Sequence, residues 1–368
     1  MKSLKVLVAG GGTGGHIYPA LAIAKGLLTA GHKVLYVSRK DSMEEELAKA
    51  KNIDFVNVDV RSFDRKLSFK NFTNTIIFIK AYDACLKIID TYKPDKVFAT
   101  GGYTTAPVLF ASFNKKIPYV IHEPDSHMGL ANRLFSYAAS GITLGIEVCK
   151  YQIPNYQKKI YLTGNPIDAK FGQILDKNKI AGEYKFNPDF KTIIVTGGSQ
   201  GASALNNVTL DVVPRLLFNY PNLQIVHQTG KKNYAEVLAK LSNELKSNPR
   251  YLVQPYFDDM ASLYALCDLA ICRSGAMTIS ELIASGLPAI FIPYPYAAQN
   301  HQYYNAEFLE NSKAGLLINQ SELTSEKLYA EIADLFDNIY KLASFKANLK
   351  KLAKPNSTSE IISIRLTL

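Results

Sequence analysis

Apolar residues recur along the chain in short unbroken runs separated by stretches of helical spacing, starting with Val6-Leu7-Val8-Ala9. The pattern predicts strands at 4–9, 33–37, 53–57, 96–99, 117–121 and 142–145, with helices near 18–30, 42–50, 73–92, 104–113 and 128–139. Runs that are apolar on both faces are what a parallel sheet needs when helices cover both of its sides. The cycle then restarts. A strand over 191–196 precedes a helix at about 203–217, and strands near 223–227, 250–253, 268–271 and 288–292 continue a second sheet. A long helical stretch follows over 325–350, and Lys354-Pro355-Asn356-Ser357-Thr358-Ser359 should interrupt it.

A strand, a glycine loop and a helix thus open the chain twice, near residues 6 and 193, which predicts an α/β protein of two Rossmann-like domains facing across a cleft. The expected domains are 1–166 and 191–350, joined by a polar linker over 167–190. The remaining tail, 351–368, has the N-terminal domain as its candidate packing surface.

Composition narrows the setting. The 368 residues are 47% hydrophobic, and no apolar run reaches the roughly 18 residues of a membrane span. The opening Met1-Lys2-Ser3-Leu4-Lys5 carries no cleavable signal pattern, so a cytoplasmic protein is expected. Cys85, Cys149, Cys267 and Cys272 form no CxxC pair and predict buried free thiols, with neither zinc site nor disulfide framework. The net charge of +10 comes from 42 Lys and Arg against 32 Asp and Glu. There is no dense basic stripe or readable nucleic-acid motif, so nucleic acid is excluded as a partner. An anionic membrane surface or a phosphorylated substrate suits the charge better. The stretch 69–80 bears on this choice. Its helix would be apolar around much of its circumference, through Phe72, Ile76, Phe78 and Ile79, with Lys66, Lys70, Lys80 and Lys87 nearby. Both core packing and a membrane-facing patch satisfy that pattern.

Chemistry concentrates at predicted strand ends. Gly10-Gly11-Gly12-Thr13-Gly14-Gly15-His16 follows the first strand, where glycines admit a close ligand and a helix N-terminus favours an anion. His16 could accept a hydroxyl proton there, or simply cap the helix. A dinucleotide site is also open, since Gly10, Gly12 and Gly15 fit GxGxxG, but Ser38-Arg39-Lys40-Asp41 after the next strand offers no lone acid for a ribose. Gly101-Gly102-Tyr103 forms a second glycine turn, and with the first it could cradle a diphosphate. His122-Glu123-Pro124-Asp125-Ser126-His127 follows another strand. It reads as a polar acceptor loop in which Glu123 and Asp125 orient hydroxyls or His16. A metal site lacks a third spaced ligand. In the second half, Arg273-Ser274-Gly275-Ala276 turns into a helix carrying Glu281, whose carboxylate could accept both ribose hydroxyls or face solvent. Asn300 and Gln302 offer amides to a sugar or base.

Gly11 to Ala20, Gly101-Gly102-Tyr103, His122-Glu123, Gly164-Asn165-Pro166, Gly197-Gly198-Ser199-Gln200-Gly201-Ala202, Arg273 through Glu281 and Asn300-His301-Gln302 together resemble the MurG family of glycosyltransferases. The resemblance spans residues 4 to about 306. It implies a GT-B fold and an inverting, metal-independent transfer of GlcNAc from UDP-GlcNAc to the C4 hydroxyl of MurNAc in undecaprenyl-pyrophosphoryl-MurNAc-pentapeptide (lipid I), giving lipid II and UDP with no cofactor. The implied catalytic group is His16, with Glu123 and Asp125 beside it. Donor contacts fall on Thr13, Gly14, Gly15, Asp168, Ser199, Gln200, Gly201, Arg273, Ser274, Gly275, Ala276, Glu281, Asn300, His301 and Gln302, and acceptor contacts on Gly101, Gly102, Tyr103 and His122. The family's uracil contact carries over to no single residue: Arg250 is a poor match, which leaves Tyr251 and Leu252, or the 256–260 turn, to supply any such contact. The implied setting is the cytoplasmic face of the bacterial cell membrane, with cell-wall synthesis proteins as further partners.

Two departures matter. Pro124-Asp125 replaces the family's Gln-Asn, and Asp168 stands where many relatives carry Arg. The lost positive charge calls for another base near the diphosphate, with Lys170, Arg273 and Lys191 as candidates. A UDP-sugar epimerase and a membrane-associated nucleotide-sugar-binding module are the alternative readings.

Overall fold

The computed structural model describes residues 3–61, 69–153 and 159–367, and the chain divides into two compact units, 1–168 with 356–368, and 169–355. The first unit carries β1 (Lys5–Ala9), β2 (Lys33–Ser38), β3 (Phe55–Asn57), β4 (Lys96–Ala99), β5 (Tyr119–Glu123), β6 (Gly141–Leu144) and β7 (Ile160–Leu162). They form one sheet in the order β3-β2-β1-β4-β5-β6-β7, parallel throughout. The strand order reverses between β1 and β4, whose last residues Ala9 and Ala99 are in register. In open α/β sheets a ligand crevice lies outside the carboxyl ends of the strands at such a reversal. Both glycine turns leave the sheet there.

The second unit repeats the design with β8 (Lys191–Thr196), β9 (Leu223–Gln228), β10 (Tyr251–Gln254), β11 (Leu269–Cys272), β12 (Ala289–Phe291) and β13 (Leu316–Leu317), in the order β10-β9-β8-β11-β12-β13. Its reversal falls between β8 and β11, with Thr196 opposite Cys272. Each sheet is buried on both faces. Leu7, Val97 and Ile121 point into one cluster of the first unit and Val6, Val8 and Phe98 into the other, while Ile193 and Ile271 oppose Ile194 and Ala270 in the second. All four cysteines are buried and unbridged.

Several boundaries differ from the sequence reading, each for a local reason. The first helix runs Gly14–Thr29, so His16 sits in its first turn and not in the loop before it. β5 continues through His122 and Glu123, which the sequence reading places in the loop after the strand. The segment 167–190 is no open linker: Asp176 caps the helix Lys177–Glu183, whose Ile180 and Ala181 are buried with Phe186 in the second unit's core. The stretch 325–350 divides at Asn338 into Ser325–Asp337 and Ile339–Leu352, the second helix N-capped by the Asn338 side chain. The C-terminal helix Ser357–Thr367 packs in the first unit, where Ile361 is buried and Ile362 occupies the space a side chain on Gly26 would need.

Candidate functional site

In the first unit the reversal point brings His16 under the second glycine turn. Its Nδ1 lies 2.9 Å from the carbonyl oxygen of Thr100, and the Thr100 hydroxyl returns a 2.7 Å bond to the His16 carbonyl. A carbonyl oxygen can only accept, so Nδ1 carries the proton and the neutral ring keeps its lone pair on Nε2. That is the tautomer a general base requires. Glycine is obligatory around it. Gly101 and Gly102 have φ of +97° and +85°, and a Cβ on Gly102 would fall 1.9 Å from the Gly11 carbonyl oxygen. Tyr103 lies over Gly12 and receives a 3.0 Å bond from Arg39 Nη1.

The first glycine turn itself is partly closed to anions. Gly12 N–H donates to the buried Glu44 carboxylate at 3.0 Å and Gly11 N–H to the Gly101 carbonyl, so a diphosphate cradle made of both turns is not what the loop offers. Thr13 makes no side-chain cap to the helix Gly14–Thr29, which leaves its first amides at Gly14 and Gly15 as the polar face of this turn.

His122 and Glu123 are fully buried, which changes their roles. His122 Nε2 donates to Asn165 Oδ1 at 2.8 Å, and its Nδ1 faces the Thr143 hydroxyl at 3.0 Å. Burial holds its pKa down to about 4, so the ring is neutral at physiological pH. With both nitrogens engaged it cannot touch an acceptor directly; it braces the loop. Glu123 accepts from the N–H groups of Asp125 and Gly129 and from Asn132 Nδ2 at 2.9–3.1 Å. Burial, with Asp125 nearby, still pushes its pKa up to about 8. A carboxyl so enclosed organises the 124–129 turn and is not a candidate base. Asp125 is buried to 5% exposure in the same turn. Asn165 and Asn132, which sequence reasoning did not single out as site residues, carry this network. Asn165 Nδ2 donates to Pro124, and Asn132 lies beside His16 under Gly101 with its own oxygen unpartnered among the described residues.

In the second unit the loop after β8 is built for close approach. Gly198 and Gly201 have φ of +80° and +77°, and Ser199 and Gln200 between them are exposed. Ala202 caps the helix Ser203–Asn219 without a side-chain bond. Gln228 ties this loop to the turn after β10, donating to Thr196 Oγ1 and accepting from Phe257 N–H at 2.9 Å each. Across the reversal, Gly275 opens the helix Ala276–Ser285 with no side-chain cap, so its first amides are uncovered. Glu281, further along that helix, is partly buried. Burial pushes its pKa up to about 8, and no hydrogen bond or ion pair reaches its carboxyl among the described residues.

Arg273 and Ser274 work differently from the sequence reading. Arg273 Nη1 donates to the carbonyls of Ile292 and Pro293, and Nη2 to Gln320 Oε1 at 2.6 Å. Its charge is spent on shaping the 292–296 loop and is not presented to a ligand. Ser274 is fully buried and donates to the Gln302 carbonyl at 2.7 Å, pinning one helix start to the next. Gln302 Oε1 in turn accepts from Tyr294 N–H. Gln299 and Asn300 both adopt left-handed backbone, with φ of 54° and 55°, ahead of the helix His301–Asn311. Asn300 lines a cavity of ≈ 330 Å³ with Pro293, Tyr296, Tyr303, Asn319 and Gln320. Asp168 is exposed at the end of the first unit. Among the described residues no group of three or more His, Cys, Asp or Glu is placed to hold a metal ion.

The model of the glycosyltransferase family 28 N-terminal domain matches residues 6–143, and that of the family 28 C-terminal domain matches 192–361. A Halothermothrix orenii protein named UDP-N-acetylglucosamine--N-acetylmuramyl-(pentapeptide) pyrophosphoryl-undecaprenol N-acetylglucosamine transferase is 37% identical over 367 residues, covering 98% of both chains. Among solved structures, Acinetobacter baumannii MurG is similar with a TM-score of 0.77 at 27% identity, covering 100% of both chains. A Neisseria meningitidis UDP-GlcNAc 2-epimerase shares the fold with a TM-score of 0.70 at 16% identity, covering 99% of this chain and 100% of that one.

Proposed function

This chain belongs to glycosyltransferase family 28, and from that premise we infer that it transfers GlcNAc from UDP-GlcNAc to the C4 hydroxyl of lipid-linked MurNAc-pentapeptide, giving lipid II and UDP. The observation that carries the catalytic reading is the tautomer lock at His16. The acceptor oxygen attacks the anomeric carbon opposite UDP while Nε2 takes its proton, and the sugar–oxygen bond to the diphosphate breaks in the same displacement. The charge that grows on the leaving UDP falls to the backbone amides of Ser199 and Gln200 and those at the start of the helix Ala276–Ser285. Glu281 receives the ribose hydroxyls, and Asn300, His301 and Gln302 surround the donor sugar. Purified protein given labelled UDP-GlcNAc and a short-chain lipid I analogue, with EDTA present, should release UDP and form a disaccharide. Conversion of UDP-GlcNAc without lipid would support an epimerase instead, and binding without turnover a recognition module.

The acceptor's lipid tail sets the location. Each CH₂ drawn out of a bilayer costs about 0.8 kcal/mol, so the enzyme must come to the membrane. Among the described residues no helix is long and apolar enough to cross one. The helix Phe69–Tyr92 buries Ala81, Cys85 and Ile89 but leaves Ile76 and Ile79 exposed, Ile79 at 53%. Phe78 is partly buried; Lys66 and the side chains of Lys70 and Phe72 lie outside the described residues. Phe110 and Phe113 continue the exposed surface from the neighbouring helix Thr105–Asn114, and Leu130 and Leu134 from Leu130–Phe135, with Lys80, Lys87, Lys116 and Arg133 also exposed. We assign this face to the cytoplasmic surface of the cell membrane, each base adding roughly 1 kcal/mol near anionic lipid. Ile76→Ser with Ile79→Ser, Lys80→Glu and Lys87→Glu should reduce sedimentation with anionic vesicles and activity on a long-chain acceptor, sparing a water-soluble one. Unchanged vesicle binding by the folded variant would overturn the assignment.

A further inference from the structure

Asp168 stands where the resemblance calls for a positive side chain, and the three bases that could have replaced it are all committed elsewhere. Lys170 pairs with Asp259 and Arg273 is held by three oxygen acceptors. Lys191 begins β8, at the opposite end of that strand from the glycine loop, where its ammonium donates to the Phe336 carbonyl and lies 4.6 Å from the Phe336 ring centroid. A diphosphate bound across Ser199–Gly201 still needs a cation to offset its charge.

Lys231 is at the right end of the sheet. It follows Gly230 in the turn after β9, and Gly230 is pressed backbone to backbone against the glycine loop: a Cβ on Gly201 would fall 2.2 Å from the Thr229 carbonyl oxygen and 3.1 Å from Gly230 Cα. The same Cβ would meet Asn233 Nδ2 at 2.8 Å, so residues 229–233 embrace the loop from one side. Lys231 itself is exposed and forms no ion pair among the described residues. Its ammonium is not random in direction, since it lies 5.4 Å from the centroid of the Tyr256 ring, in the turn that Gln228 ties to the glycine loop. Tyr256 is also electrostatically coupled to Glu281, which places Lys231, the aromatic ring and the ribose-binding carboxyl around one region of the second unit.

We propose that Lys231 supplies the positive charge for the donor diphosphate, with the Tyr256 ring holding its ammonium beside the glycine loop until the nucleotide arrives. The proposal rests on the donor site described under the proposed function. A lysine suits the task, being a compact charge on a flexible stem that can follow the diphosphate as it leaves.

The test is calorimetry of UDP and of uridine with the wild type, Lys231→Met, Lys231→Arg and, as a control of equal charge change, Lys232→Met. Lys231→Met keeps the stem over Tyr256 and should weaken UDP roughly tenfold at low salt, the scale of a lost charged hydrogen bond. Uridine affinity should be unchanged, Lys231→Arg should recover most of the loss, and the gap between wild type and Lys231→Met should narrow at high salt as screening takes over. Three results would overturn the proposal: undiminished UDP affinity in Lys231→Met, an equal loss for uridine and UDP, which would make the residue a packing partner of Tyr256, or an equal loss in Lys232→Met. Absence of UDP binding by the folded wild type would instead remove the donor site itself, and this proposal with it.

Discussion

Replacing His16 with alanine is expected to cut turnover by roughly 10² to 10⁴, the contribution of a positioned acid–base group, while UDP affinity stays within a factor of two or so of wild type. The expectation follows from a single contact. The Thr100 carbonyl fixes the proton on Nδ1 and so puts the lone pair of the neutral ring on Nε2. Glu123 is not placed to take over, since it is buried under three N–H donors. Single-turnover kinetics with saturating donor separates the effect from slow product release, and a thermal melt checks that the helix start is intact. Near-normal turnover in a folded His16→Ala protein would make the residue a helix-terminal packing group and return the search for the base to Asp125.

Removing the carboxylate of Glu281 is expected to weaken UDP binding by about 1.5–3 kcal/mol, the range for hydrogen bonds to a charged group. The binding should also depend on pH in a defined direction. Burial raises the Glu281 pKa to about 8 in the free protein. The titratable groups coupled to it are Tyr256 in the turn after β10, Tyr264 in the helix Met260–Leu266 and Cys272 in β11, whose own pKa values are all raised. Ribose hydroxyls donate to the ionised carboxylate, so they stabilise that form and lower its pKa in the complex. UDP affinity should therefore rise with pH and level off above about pH 8, with proton release on binding below that point. The same sign holds for folding. A carboxyl whose native pKa exceeds its unfolded one stabilises the fold at low pH and loses that contribution as pH rises through the native value. Calorimetry in buffers of different ionisation heat measures the released proton. A flat profile, or one unchanged in Glu281→Ala, would exclude the ribose role.

The repeated strand, glycine loop and helix could be read directly, because Val6-Leu7-Val8-Ala9 and the strand over 191–196 are apolar on both faces and each ends in glycines that tolerate positive φ. The edge strands β7 and β13 could not. At three and two residues they are too short to show a period, and pairing with β6 and β12 defines them. The start of the first helix was hidden by Gly14 and Gly15, which carry little helical propensity and are held by the fold around them. His122 and Glu123 looked like loop chemistry because buried polar strand residues resemble site residues in a sequence. Only the partners Thr143, Asn165 and Asn132, which lie 9 to 43 positions away, reveal them as bracing. Arg273 misled for the opposite reason: a guanidinium beside a glycine turn suggests phosphate, and nothing local announces Gln320, 47 positions on, as its acceptor.

Asn165 connects this bracing to the order in which the protein is made. Its side chain holds His122 and Pro124, and its carbonyl accepts a 2.7 Å bond from the buried Ser357 hydroxyl. Ser357 opens the C-terminal helix that contributes Ile361 to the first unit's core. On the ribosome, residues 1–168 emerge early yet lack that helix until the whole of 169–355 has followed. The second unit is contiguous and can close first, while the first unit still waits for the helix Ser357–Thr367. The loop that Asn165 braces is then completed only after residues 169–355 have been made, so the bracing of His122 and Pro124 follows the second unit in time.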